Sequence, residues 1–269
     1  MASLAQPYID IVNLRHFNSP DAGIWRRYYQ KAIVKYSNLS LTLPLTLKKE
    51  KDILVFSPYA ERWDIQLPST TLKANVNGFV LPISFIHTLK NSNWIFNTTF
   101  IIRNNAEQFS LPDAWQAGGF IVANYKKNKQ LTYKFGLYFN QEAFGSFFVP
   151  LLGLEWKIDS TLFLWGTLPG TLTLEKRISS KWYTGAAFKA ITNSYQLRNG
   201  SFVRIDDNII SGILDYYLTK KWVINAELGH SVFRRVRFGE RGTGKNYFYK
   251  EKINDNLFFK IAIAYRWRL

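Results

Sequence analysis

The last residues of the chain, 256–269, read NLFFKIAIAYRWRL, and their apolar and polar positions alternate. Leu257, Phe259, Ile261, Ile263, Tyr265, Trp267 and Leu269 fall on one face, and Phe258, Lys260, Ala262, Ala264, Arg266 and Arg268 on the other. A period of two marks a β-strand. The same period recurs upstream. Over 131–140, Leu131, Tyr133, Phe135, Leu137 and Phe139 oppose Thr132, Lys134, Gly136, Tyr138 and Asn140. Over 147–158, Phe148, Pro150, Leu152, Leu154, Trp156 and Ile158 oppose Val149, Leu151, Gly153, Glu155 and Lys157. Residues 209–218 and 222–229 follow the same rule, and no stretch has a convincing helical period.

The gaps between strands largely alternate in length. Short polar turns occur at 48–52, 90–93, 127–130, 159–160, 179–181 and 219–221. Longer polar loops are expected around 18–30, 67–73, 105–113, 141–146, 196–201 and 238–256. Tight turns at one end and long loops at the other string an up-and-down barrel across an outer membrane. The pattern predicts an all-β fold, a closed antiparallel up-and-down transmembrane β-barrel of about 14 strands, with 12 as the alternative count. The strands are expected near 7–16, 31–47, 53–66, 74–89, 94–103, 114–126, 131–140, 147–158, 161–168, 171–178, 182–194, 202–218, 222–237 and 257–269. One domain spans 1–269, with 1–6 a signal-cleavage remnant or flexible N-terminus, because Ser3-Leu4-Ala5 has the small-residue look of a cleavage site.

Tryptophan placement decides which face meets lipid. Trp94, Trp182 and Trp222 directly follow short turns; Tyr133 and Trp156 lie three residues from one; Trp267 nears the terminus. An indole pairs an apolar body with a polar N–H and favours the headgroup level of a bilayer. We therefore expect Trp94, Tyr133, Trp156, Trp182, Trp222 and Trp267 to form a membrane-interface girdle at the short-turn end. The apolar faces then point to lipid and the charged faces to a lumen. Parity assigns Lys134, Glu155, Lys157, Glu175, Lys189, Asp215, Glu227, Lys260 and Arg266 to that lumen, in a position to pair across strands. Arg235 and Arg237 have inward parity near the outer rim and would tip the lumen positive. An open lumen would then prefer anions weakly.

Composition narrows the classes. Lys and Arg number 35 against 19 Asp and Glu, a net charge of +16. The cations are spread over turns and loops, without a phosphate-cradling loop or recognition-helix pattern, so no nucleic-acid partner is expected. With no cysteine, disulfides and thiolate metal sites are impossible. Neither a metal nor a cofactor is expected. No apolar run approaches the roughly 20 residues of a spanning helix.

The stretches PLLGLEWKIDS (150–160), GTLPGTLTLEKRISSKWYTGAAFKAITNSY (166–195) and DDNIISGILDYYLTKKWVINAELGHSVFRR (206–235) resemble an outer-membrane β-barrel family of unknown function from Bacteroidota and related Gram-negative bacteria. The resemblance covers roughly the C-terminal half and is weaker upstream. It implies a signal-peptide-bearing barrel in the outer membrane of a Gram-negative bacterium. It carries over no catalytic residue. The terminal strand also resembles the signal read by the outer-membrane barrel-assembly machinery, although here the last residue is Leu269, with Trp267 two before it.

Candidate chemistry is sparse. His230-Ser231, and His16 with Ser19, could build a rim hydrolase, but their spacings match no lipid A deacylase or phospholipase, so no enzyme is expected. Arg234, Arg235, Arg237 and Arg241 form a basic cluster near the outer rim, suited to lipopolysaccharide phosphates or to a solvated loop face. The expected partners are outer-membrane lipids, lipopolysaccharide, the assembly machinery and an unknown surface or periplasmic protein. The expected function is a small-solute pore or carrier; the alternative is a closed structural barrel.

Overall fold

A computed structural model describes residues 7–24, 27–47, 52–67, 73–241 and 246–269. Among these, seventeen strand segments form 14 barrel strands, because three strands each consist of two segments separated by a break. In chain order they are β1 Tyr8–Ile24, β2 Arg27–Leu41 with Leu43–Thr46, β3 Asp52–Phe56 with Tyr59–Gln66, β4 Lys73–Thr88, β5 Trp94–Ala106, β6 Trp115–Lys126 and β7 Leu131–Glu142. They continue as β8 Gly145–Lys157, β9 Leu162–Leu168, β10 Thr171–Arg177, β11 Trp182–Gln196, β12 Ser201–Tyr217, β13 Trp222–Glu240 and β14 Tyr247–Lys252 with Asn256–Arg268. The described helical structure is one 3-10 turn, Pro112–Ala114.

Each strand pairs antiparallel with the next, and β1 pairs with β14 from Tyr8↔Arg268 to Asn18↔Phe259. That closure removes both edges of the sheet. The alternation sorts as the sequence requires. Phe135, Leu137, Phe148, Leu152, Ile210, Leu214, Leu228, Ile261 and Ile263 are exposed on the outer face. Thr132, Asn140, Asp215, Val223, Ala262, Ala264 and Arg266 are buried inside. A large apolar surface facing outward and a charged interior invert the arrangement of a soluble barrel.

Side-chain caps shape the tight turns. Asp159 accepts hydrogen bonds from the Thr161 and Leu162 amides at 2.6 and 2.9 Å. Asn128 accepts from Gln130 and Leu131, Ser179 from Lys181 and Trp182, and Thr219 from Lys221 and Trp222. A short side-chain acceptor that closes its own turn explains why Asp, Asn, Ser and Thr stand there. Directly after three turns, Trp94 packs at a tilt against Tyr125, Trp182 likewise against Tyr216, and Trp222 meets Tyr265 edge-on, with ring centres 4.5–5.4 Å apart.

At the opposite end several expected loops are strand. β1 continues to Ile24 and β2 begins at Arg27, so most of 18–30 is a strand pair. Residues 247–252 pair with the top of β13. The connections at 141–146 and 196–201 are tight, because Gly145 (φ +109°) and Gly200 (φ +82°) adopt backbone angles that L side chains rarely take. The turn at 48–51, most of the loop at 67–73 and residues 1–6 lie outside the described residues, as do 242–245 within the loop at 238–256.

Two irregularities position the interior. The register of β1 shifts between Asp10 and Val12, so Asp10 before the bulge and Arg15 after it both point inward. On β13 the register shifts opposite Asp206–Asn208, where Phe233 takes φ +55°. Beyond it the parity of β13 is reversed.

Candidate functional site

The interior divides into three layers along the barrel. At the tight-turn end lies an arginine–tyrosine cluster. Arg266 bonds Asp10 and Asp215 at 2.5 Å each, and Arg268 grips Glu175 with two bonds of 2.8 and 2.9 Å. The guanidinium of Arg266 lies 3.6 Å from the ring centre of Tyr8, and that of Arg268 lies 3.6 Å from the ring centre of Tyr183. Arg266 is buried, where charge-assisted and cation–π contacts are strong, whereas Arg268 keeps part of its side chain in solvent at the rim.

The far layer is apolar. Phe17, Val34, Trp63, Ile65, Val76, Tyr195, Ile205, Val236, Phe238 and Phe258 pack into one core across the outer end of the lumen. Beside it, Arg103 pairs with Glu142 at 3.3 Å and Arg234 with Asp207 at 2.9 Å, all fully buried. Each of these cations is matched by a carboxylate, without which its burial would be strongly destabilising.

Between these layers lie three adjoining cavities of about 190, 390 and 390 Å³. Arg15 lines all three, and Lys189 lines two. Among the described residues, neither has a carboxylate within 4 Å; Arg15 donates to the Asn38 side-chain oxygen at 2.9 Å. The other inward cations of the middle and lower lumen are matched: Lys134 with Glu155 at 2.5 Å, Lys260 with Glu227, Arg266 with its two aspartates and Arg268 with Glu175. Glu61 is held by the Tyr36 and Tyr195 hydroxyls, at 2.9 and 2.6 Å, and by Asn193 at 3.2 Å. Trp63 borders the smallest cavity, and its buried indole nitrogen has no hydrogen-bond partner.

The expected lumen residues Lys134, Glu155, Glu175, Lys189, Asp215, Glu227, Lys260 and Arg266 are all on the inner face, seven of them in the pairs just described. Lys157 shares their parity but sits at the strand end, exposed, 5.6 Å from the ring centre of Phe163. Asp10, Arg15, Glu61, Arg103, Glu142 and Arg268 were missing from that set. The expected aromatics Trp156, Trp182, Trp222 and Trp267 are exposed on the outer face, and Trp94 and Tyr133 are partly covered there.

The basic rim cluster needs correction. Arg234 is 1% exposed and bonded to Asp207, so it is no surface contact. Arg235 and Arg237 are not inward either; the bulge at Phe233 exchanges the two faces. Arg235 is exposed, whereas Arg237 lies beside Tyr247 and 3.4 Å from Asp206 on the outer face. Arg241 pairs with Asp113. The histidines do not assemble a hydrolase. His16 bonds Ser37, not Ser19, on the exposed outer surface, and His230 is exposed while Ser231 points inward to Asp207. Among the described residues, no three potential metal ligands gather.

The profile of a family described as a domain of unknown function, DUF6268, matches residues 59–266. The chain belongs to that family, and the match extends well upstream of the C-terminal half. No curated protein matches the chain. Among solved structures, the COG4313 outer membrane channel from Pseudomonas putida F1 matches with a TM-score of 0.54 at 8% identity, over 95% of this chain and 94% of that one. A Pseudomonas aeruginosa FadL homologue matches with a TM-score of 0.51 at 10% identity, over 98% and 92% of the two chains. At such identity the likeness concerns the fold: this chain is a closed antiparallel barrel of the kind found in outer-membrane proteins.

Proposed function

We propose that the barrel spans the outer membrane of a Gram-negative bacterium of the Bacteroidota type and carries small solutes through its lumen, with weak preference for anions. The observation that carries this reading is the set of adjoining cavities lined by Arg15 and Lys189, two cations without a carboxylate partner. Elsewhere on the inner wall Arg266 faces two aspartates and Glu61 has only neutral donors, so the excess positive charge is confined to the surroundings of Arg15 and Lys189. Arg15 and Lys189 therefore take the role first expected of Arg235 and Arg237, since a charged wall concentrates counter-ions. Contact with lipopolysaccharide rests on Arg235 and Arg241, both exposed, the second beside Asp113. The barrel-assembly machinery would read the terminal strand, and an unknown surface or periplasmic partner would meet the loops.

The apolar core over the outer end favours a second reading, a closed structural barrel. Planar-bilayer recordings of the purified protein under a salt gradient separate the two. We expect a conductance far below that of an open porin and a reversal potential of anionic sign. Converting both Arg15 and Lys189 to glutamine should abolish that sign. Cation selectivity refutes the charge argument, and silence at all voltages removes the ion-conducting pore.

A further inference from the structure

The wall of the barrel is incomplete between β8 and β11. The hairpin of β9 and β10 is short. It pairs with β8 only from Leu152 to Lys157 and with β11 only from Tyr183 to Lys189. Above its tip at Pro169-Gly170, residues 145–151 of β8 pair with β7 alone. Residues 191–195 of β11 pair with β12 alone. The gap is bounded below by the Ala190 amide bonded to the Gly170 carbonyl, and above by Ser194 bonded to Glu142 and Ala143. The two ties lie four positions apart on β11, roughly 13 Å of strand at ~3.3 Å per residue.

Three further features agree. Pro150 stands in the unpaired stretch of β8, where a residue without an N–H is tolerated, since strand prolines belong at edges. One cavity of about 390 Å³ is lined by Lys189, Ala190, Ile191, Thr192 and Asn193, five consecutive residues of one strand. Successive residues point to opposite faces, so a cavity that touches them all must border the edge of the strand and pass into the wall. The opposite rim of that cavity is apolar: Phe147, Val149, Leu151 and Pro169. Outside it, Phe148 and Leu152 are 62% and 61% exposed, within the apolar belt. Its inner end is polar and mixed in charge, with Arg15, Lys189 and Arg103 against the single carboxylate of Glu61, which the Tyr36 and Tyr195 hydroxyls hold.

Building on the carrier reading, we infer that this gap is a lateral port between the bilayer and the lumen, and that its solute is an amphipathic anion, an apolar chain or ring bearing one carboxylate. The apolar core blocks the axial outer mouth, so the port is the outer entrance. The carboxylate meets Arg15 and Lys189, the hydrocarbon lies along Phe147, Val149 and Leu151, and the cavity beyond Arg15, bordered by Pro44, Val55 and Ile86, leads toward the tight-turn end. A cation that faces a cavity without a carboxylate beside it gains from one, and an apolar wall gains from a hydrocarbon.

The chain has no cysteine, so single cysteines report cleanly. Bimane is attached at Leu151→Cys on the inner rim of the port, and at Ile213→Cys on the closed wall as a control. In vesicles with brominated acyl chains, Leu151→Cys should be quenched well above Ile213→Cys. Added 11-bromoundecanoate should quench Leu151→Cys saturably, with competition by undecanoate but not by undecanol. Combining Arg15→Gln and Lys189→Gln should weaken that binding tenfold or more, as loss of charge-assisted bonds implies. Equal lipid quenching at the two sites, non-saturable quenching, or binding unchanged in the double variant overturns the port. These readouts need no ion current. A silent bilayer with saturable quenching removes the ion-conducting reading alone, and a conducting protein without quenching removes the port alone.

Discussion

Arg234 and Arg235 point to opposite faces as strand neighbours do, and the bulge at Phe233 makes Arg234 the inward one. Arg234 is bonded to Asp207 through its Nε at 3.1 Å and an Nη at 2.9 Å, with side chains 1% and 0% exposed. Its guanidinium lies 5.3 Å from the ring centre of Phe17. Asp207→Ala leaves that cation buried and unpaired. Breaking one side of a buried pair costs about 3–5 kcal/mol, or about two to four decades in the folded-to-unfolded ratio. Arg234→Ala should cost a similar amount by stranding Asp207, whose remaining partner is Ser231. Arg235→Ala should stay within about 0.5 kcal/mol, as exposed substitutions do. Replacing Arg234 and Asp207 together by leucine should recover most of the loss, because two uncharged side chains leave nothing to solvate. Urea titration of the barrel in vesicles, followed by its heat-modifiable gel mobility, gives the comparison. An Asp207→Ala barrel within about 1 kcal/mol of the parent, or an Arg235→Ala as damaging as Arg234→Ala, would refute the inward placement.

Leu137→Arg and Leu214→Arg, on the outer face, should each cost about 2–4 kcal/mol in the same titration, while equal stability would remove the lipid belt. Arg268→Lys loses the two-pronged grip on Glu175 and the stacking on Tyr183, so a loss of about 1–2 kcal/mol is expected despite the retained charge. Hydrogen bonds from the Thr161 amide and hydroxyl hold the exposed Asp159 carboxyl below the usual range. Its folded-state pKa is depressed, so its turn-closing contribution is complete above the unfolded value and fades as pH falls through the lower, folded one. NMR titration of the Thr161 amide should show that order, and a midpoint at or above an ordinary aspartate would contradict it.

The strand count and the inner and outer faces were legible because a period of two is local. Every residue of 131–140 and 257–269 declares its side within a few neighbours. Glu142 obeys the parity of 131–140 and needed only two more residues of the pattern, and Arg103 lay within the expected strand 94–103 with inward parity. Asp10 and Arg15 were harder. Both face inward only because a bulge between them changes parity, and nothing at Ile11 announces a bulge. Phe233 conceals the second one, since a phenylalanine at positive φ lacks the glycine or asparagine signal. The outer hairpins were read as loops because residues 18–24 mix Pro, Asp and Gly, although pairing on both flanks holds part of that run in strand. The gap between β8 and β11 is a property of unequal hairpin lengths, and the shortness of β9 and β10 in sequence was its one visible trace.

Membrane insertion with this facing is the claim on which the rest depends. Nitroxide labels placed one at a time on cysteines at positions 257–267, in lipid vesicles, report oxygen and water-soluble nickel accessibility residue by residue. The account predicts a period of two: high oxygen collision rates at Leu257, Phe259, Ile261, Ile263 and Tyr265, and low values for both reagents at Phe258, Ala262 and Ala264. Uniform water accessibility, no alternation, or oxygen maxima on the alanine face would contradict it.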